Sequence, residues 1–216
     1  MRHLLVAASL LLLSPLSMAA SFDCAKATTP LEKLICNTPE LNEEDTRLGE
    51  AYSTAIKTFP FPSLIKEEQK GWLSGFRQCA TVVKCGAMLK QRTKELSTYK
   101  NASVYADYEG KKFSPQQGTI IIWEQEGNKI ARLFGNWMPD GYMDPNKMKG
   151  YPFDGFICDS EIPLLKKGSL YITKDGNASD DFSLNIEASK VVMKGSVMCN
   201  ARCGFGPGVY KKVSTN

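Results

Sequence analysis

The chain of 216 residues holds a single histidine, His3, and it lies in the leader-like first segment. Beyond that segment there is no imidazole. Ser-His-Asp and Cys-His catalysis are therefore excluded there, as are histidine metal sites. There is no C-x-x-C pair, so redox cycling of the thioredoxin kind has no motif to work with. After residue 13 no stretch is long or apolar enough to cross a bilayer. Basic residues do not cluster beyond pairs such as Lys111-Lys112, as a polyanion binder would require. There is no internal repeat and no low-complexity tract. Nothing in the pattern asks for a cofactor or a metal.

What is present begins with that leader. Arg2 and His3 precede the apolar run Leu4 to Leu13, and Ser17, Met18, Ala19 and Ala20 supply small residues. This is the pattern of a secretory signal peptide over residues 1–20, with cleavage expected after Ala19 or Ala20. No cysteine stands at the cleavage point, so no lipid-anchor signal is expected. Cleavage removes one basic residue and no acid, taking the formal charge from +4 to +3. The expected location is the periplasm or the exterior.

All seven cysteines, at 24, 36, 79, 85, 158, 199 and 203, follow the leader. In an oxidising compartment such a set reads as a disulfide framework. Zinc ligands favour spacings of two to four residues, which Cys24, Cys36, Cys79 and Cys85 do not show. Four cysteines permit three connectivities, and local pairing, 24 with 36 and 79 with 85, is one of them. In the second half Cys158 and Cys203 are the expected structural pair. Cys199 is the alternative partner, and one thiol of the three is left over.

Two periodicities divide the chain. Residues 21–100 read as helical. Thr29-Pro30-Leu31-Glu32 has the capping-box form, opening a short helix that ends near Cys36 and Asn37. Thr38-Pro39 starts a second, with Leu41, Asp45, Leu48, Tyr52 and Ile56 on one stripe. Phe59-Pro60-Phe61-Pro62 breaks it. Ser63 is read as the cap of a third helix carrying Leu64 or Ile65, Gln69, Trp72 and Phe76. Cys79 to Cys85 reads as a turn, and Leu89, Arg92 and Leu96 mark a last helix ending near Tyr99. Asn101 to Val104 is the expected linker. Residues 101–216 then change to short β-branched runs: 118–124 and 130–134 as a hairpin about Gly127-Asn128, then 155–158, 169–173, 182–187, 190–198 and 207–213. The fold class expected is α+β: a disulfide-stapled helical domain followed by a small antiparallel sheet or barrel.

The first half carries a further signal. Phe22-Asp23-Cys24-Ala25-Lys26-Ala27, Glu32-Lys33, Ile35-Cys36 and Pro39-Glu40-Leu41 stand in order. Asp45, Leu48, Tyr52, Gln69, Trp72, Leu73, Arg77, Cys79, Cys85 and Arg92 follow. This series resembles the N-terminal domain of the LprI-type lysozyme-inhibitor family. The resemblance implies an exported, disulfide-stapled helical domain and inhibition of a lysozyme. The tail, Cys203-Gly204-Phe205-Gly206 with Gly208-Val209-Tyr210, resembles β domains found beside that module.

Individual residues admit a functional and a structural reading. Asp45 is either a contact or catalytic carboxylate, or a buried acid paired with Arg77 or Arg92 or hydrogen-bonded to a neighbouring helix end. Gln69 and Trp72 either line a groove or pack the core. Glu40, Glu43, Glu44, Asp45 and Glu50 against Arg47 would make an acidic face that draws a basic partner, or a solvated helix surface. Residues 135–155 gather Trp137, Tyr142 and Tyr151 in a Gly- and Pro-rich loop fit either for an interface or for a lid over one barrel end. Glu40, Glu43, Glu44, Trp137, Tyr142 and Tyr151 are thus the candidate partner-binding residues. The expectation is a protein partner, a lysozyme or related cell-wall hydrolase, bound without catalysis. The alternative is an envelope binding or immunity module for another protein toxin or a glycan.

Overall fold

The computed structural model describes residues 21–108, 117–135, 158–174, 176–200 and 203–214. Four helices come first: α1 (Pro30–Asn37), α2 (Pro39–Thr58), α3 (Pro62–Phe76) and α4 (Val82–Thr98). Among the described residues ten strands follow, from β1 (Ser103–Ala106) to β10 (Gly208–Lys212). The architecture is α+β, as the two periodicities anticipate.

Thr29 caps α1 as its sequence predicts. Its hydroxyl accepts from the Glu32 N–H at 3.2 Å, and the Glu32 carboxylate accepts from the Thr29 N–H at 2.8 Å. The Thr29 and Thr28 N–H groups that donate to it hold the Glu32 carboxyl below its ordinary pKa. Two other helix starts differ from expectation. Ser63 is not the cap of α3; Pro62 takes the first helical position after Phe61, with no side-chain cap. The stretch from Cys79 to Cys85 is not all turn. Thr81 caps a helix that already contains Cys85.

Both helical disulfides are local: Cys24 to Cys36 and Cys79 to Cys85. Such bonds persist in oxidising compartments, and that is the environment they indicate. No helix among the described residues is long and apolar enough to cross a membrane. Cys199 is also disulfide-bonded, which corrects the arrangement that leaves it as the spare thiol. The side chains of Cys158 and Cys203 lie outside the described residues.

Eight strands close into an antiparallel barrel in the order β1-β10-β7-β6-β5-β4-β3-β2. Its elements include β2 (Thr119–Gln125), β3 (Asn128–Gly135), β4 (Cys158–Lys167), β5 (Leu170–Ile172), β6 (Ser183–Ile186) and β7 (Lys190–Lys194). The β2–β3 turn is Glu126-Gly127 rather than Gly127-Asn128. Both residues have positive φ, 54° and 80°, as a two-residue hairpin turn demands. The run 190–198 is not one strand. Gly195, at φ 67°, ends β7, and a Cβ there would fall 2.4 Å from the Ser179 hydroxyl. Beyond it β8 (Val197–Asn200) and β9 (Cys203–Phe205) form a two-stranded ribbon that leaves the barrel wall.

Alternation sorts the strands into two cores. Tyr105, Ile120, Ile122, Ala131, Leu133, Ile162, Leu164, Leu184, Val191 and Met193 fill the barrel interior, and Val197 and Phe205 of the ribbon join them. Eight strands leave an interior just wide enough for side chains to fill. The opposite faces of β1, β2 and β3 present Val104, Ile121, Trp123 and Phe134. These belong to the helical core, with Leu41, Leu48, Phe59, Phe61, Ile65 and Leu89. The linker expected at Asn101 to Val104 is therefore a 3₁₀ turn, Tyr99–Asn101, running straight into β1. The helices are bound to the barrel wall.

Candidate functional site

A groove of about 580 Å³ runs along the seam between helices and barrel. Its walls come from α3, α4, the 3₁₀ turn, β2, β3 and β4. At its floor sits Arg132, which β3 projects outward because its neighbours Ala131 and Leu133 point into the barrel. The Arg132 guanidinium grips Asp159 with two parallel bonds of 2.8 Å, from Nε and Nη2. Its Nη1 donates to Glu68 at 2.5 Å and to the Tyr99 hydroxyl at 2.7 Å. Its Phe134 neighbour lies under the cation, 4.6 Å from guanidinium carbon to ring centre.

Glu68, half-buried on α3, joins this cluster to a second arginine. Arg92, buried on α4, lies 3.5 Å from Glu68 and 3.0 Å from Glu95. Its Nε donates to Gln69 at 3.0 Å. The chain Asp159–Arg132–Glu68–Arg92–Glu95 thus crosses from β4 to α4. Forked arginine–carboxylate pairs are directional as well as strong, so this network fixes how the helices sit on the barrel. A lighter tie, Lys94 to Glu126 at 3.2 Å, links α4 to the β2–β3 turn.

The environment shifts three groups. Burial pushes the Tyr99 phenol far above its ordinary value; Glu68 reinforces this and Arg132 opposes it. Burial would lower Arg132, but the Asp159 hydrogen bonds and the Tyr99 and Glu68 charges outweigh it, and the guanidinium stays charged. Glu161, on the groove rim, is raised mainly by desolvation and further by the Asp159 and Glu95 charges, against the pull of Arg132. Among the described residues it is the one groove carboxylate without a lysine or arginine at ion-pair distance. Trp123 also lines the groove, and its buried indole N–H has no hydrogen-bond partner among the described residues. A polar ligand with acceptor and donor groups suits this lining better than an apolar one.

The residues singled out by sequence fall elsewhere. Glu43 and Glu44 are both ion-paired with Arg47, and Lys90 stands 3.9 Å from Glu44. Glu43 and Glu44 are thus offset by Arg47 of the same helix and Lys90 of α4; Glu40 is exposed. Trp137, Tyr142 and Tyr151 lie outside the described residues. Trp72 stacks on Phe76 with centroids 4.5 Å apart, and Gln69 serves Arg92 rather than lining the groove. Asp45 pairs with neither Arg77 nor Arg92; it accepts from the backbone N–H of Ser21 at 2.7 Å. Sequence reasoning missed Glu68, Tyr99, Arg132, Asp159 and Glu161. Arg132 and Glu161 alternate with apolar neighbours, but only the β3–β4 register brings them opposite each other.

Comparison of the chain with models of known families, with curated proteins and with solved structures finds no match.

Proposed function

We propose that this protein, once exported, binds and inhibits a cell-wall hydrolase, in the first instance a lysozyme, with no catalysis of its own. The observation that carries the reading is the ordered resemblance over residues 22–92 to the LprI-type inhibitors. Many residues of that series are framework: Leu41, Leu48, Cys79 and Cys85 are buried, and Arg92 anchors the polar network. A body held by local disulfides and latched to a barrel loses little freedom on docking, which favours affinity. Steering by the α2 acids is weak because Arg47 and Lys90 offset them. The test is the turbidity of a cell-wall suspension treated with lysozyme. Micromolar purified protein is expected to slow clearing. Unchanged clearing across several lysozyme classes overturns the reading.

A second reading is favoured by one observation, the polar groove at the seam. With Glu161 and Glu95, the amides of Gln91 and Gln125, and the Trp123 ring, its lining fits a glycan of the envelope. Calorimetric titration with a soluble cell-wall oligosaccharide is expected to show binding. Gln125→Ala is expected to weaken it several-fold. Heat-silent titrations at millimolar sugar overturn this second reading.

A further inference from the structure

Asp45 sits where a surface acid would not. It lies between Leu41 and Leu48 on the core stripe of α2 and is 6% exposed. A buried carboxylate needs a counter-charge or several hydrogen bonds. Arg77 is exposed, and Arg92 is occupied by Gln69, Glu95 and Glu68. Among the described residues no lysine or arginine makes an ion pair with Asp45. Its hydrogen bond comes from the main-chain nitrogen of Ser21, 24 residues earlier, at 2.7 Å. Gly49, one turn further along α2, makes room for this approach. A Cβ there would stand 3.0 Å from the Ser21 Cβ. The chain at Ser21 is thus seated on α2 with its nitrogen aimed at a buried acid.

We propose that Asp45 is the receptor for the amino-terminal ammonium that leader removal creates. The proposal rests on the export reading, since an uncleaved chain has only a neutral amide at this point. Hydrolysis of the Ala20–Ser21 bond by a leader peptidase adds one water. The carboxylate departs with the leader, and the Ser21 nitrogen becomes a primary ammonium already at bonding distance from Asp45. A cut after Ala19 keeps the Ser21 N–H bond and puts the ammonium one residue away, about 3.8 Å along the chain. Either cut leaves the new cation within one residue of the nitrogen that bonds Asp45. Processing then turns a hydrogen bond into an ion pair and completes the polar side of the helical core. The Cys24–Cys36 bond, three residues on, holds the same segment from its other end.

The experiment exports the full-length chain, determines its first residue and measures acylation of the α-amine near pH 7 by mass spectrometry. Rates are compared for the native protein and the same protein in urea. The chain is expected to begin at Ser21 or Ala20. Its native α-amine is expected to react at least tenfold more slowly than in urea, and Asp45→Asn to restore the fast rate. Gly49→Ala, whose Cβ would press on the Ser21 Cβ and which leaves the carboxylate in place, is expected to raise the rate as well. A start further into the chain, or equal native and urea rates, overturns the pairing while export stands. A product that retains its leader overturns both.

Discussion

The two halves of this molecule are held by different forces. The barrel interior is mostly apolar and its sheet has no open edge, so hydrophobic burial and a closed hydrogen-bond ladder carry it. The helical half adds to its apolar core two local disulfides and charged groups, the buried Asp45 and Arg92 and the half-buried Glu68. Small helical units often need such staples. Yet this half is not self-contained, because Val104, Ile121, Trp123 and Phe134 of the barrel wall complete its core. The barrel serves as the floor on which the helices fold, and the polar chain through Arg132 sets their position on it.

The largest effect expected is in the barrel. Leu133 has no exposed surface, and Leu133→Ala should cost about 3 to 4 kcal/mol in urea unfolding. A loss below 1 kcal/mol would show that the closed barrel is not the firmer body. The helical half should yield more to covalent change. Cys24→Ser with Cys36→Ser opens a loop of 12 residues, at a cost of about 2 to 3 kcal/mol. Hydrogen exchange should locate the loosening in α1 and α2, with the barrel amides unchanged. Loosening spread evenly over both halves would mean that they unfold as one unit.

Much of the helical half is legible in sequence because its signals are local. The Thr29 cap, the paired prolines at 30 and 39 and the Leu41 to Leu48 stripe all act within a few turns. The barrel is legible as a class but not in detail. β4 escapes because Cys158 to Lys167 mixes Pro163 and charges with three apolar residues, and only the register with β3 explains why Asp159 and Glu161 face outward. The groove is least legible of all. Glu68 and Arg132 are 64 residues apart in sequence, and no local period links them. Asp45 is the instructive case, since only part of it is legible. Its burial follows from the stripe, but its partner is a main-chain atom, and sequence patterns of side chains do not reveal main-chain partners.

The latch between the halves can be tested more gently. Arg132→Met leaves Asp159 and Glu68 facing each other's charge in a half-buried place. A loss of about 2 kcal/mol is expected, below the range for a fully buried pair. Adding Glu68→Gln should recover part of it, since the second change removes an orphaned charge rather than a further contact. This cycle separates a latch from a mere contact. Purely additive losses would mean that the two side chains act independently, and that apolar packing alone seats the helices on β1 to β3.

The smallest effect concerns Glu161, and its sign is informative. Its carboxyl is held above the ordinary value in the folded protein, first by desolvation. The native state therefore keeps a proton that the unfolded chain releases. Stability falls as pH rises from the ordinary carboxylate value through the raised one, and above that the penalty is constant. Glu161→Gln removes the penalty. Because the side chain is largely solvent-accessible, the gain is expected to be small, a rise in Tm on the order of 1 °C at pH 7. Below about pH 4 both proteins carry a neutral group there, and their melting curves should converge. A variant less stable than the parent at pH 7 would mean that Arg132 attracts Glu161 more than the groove desolvates it. The rim carboxylate would then belong to the latch, and the groove would have no free acid to offer a ligand.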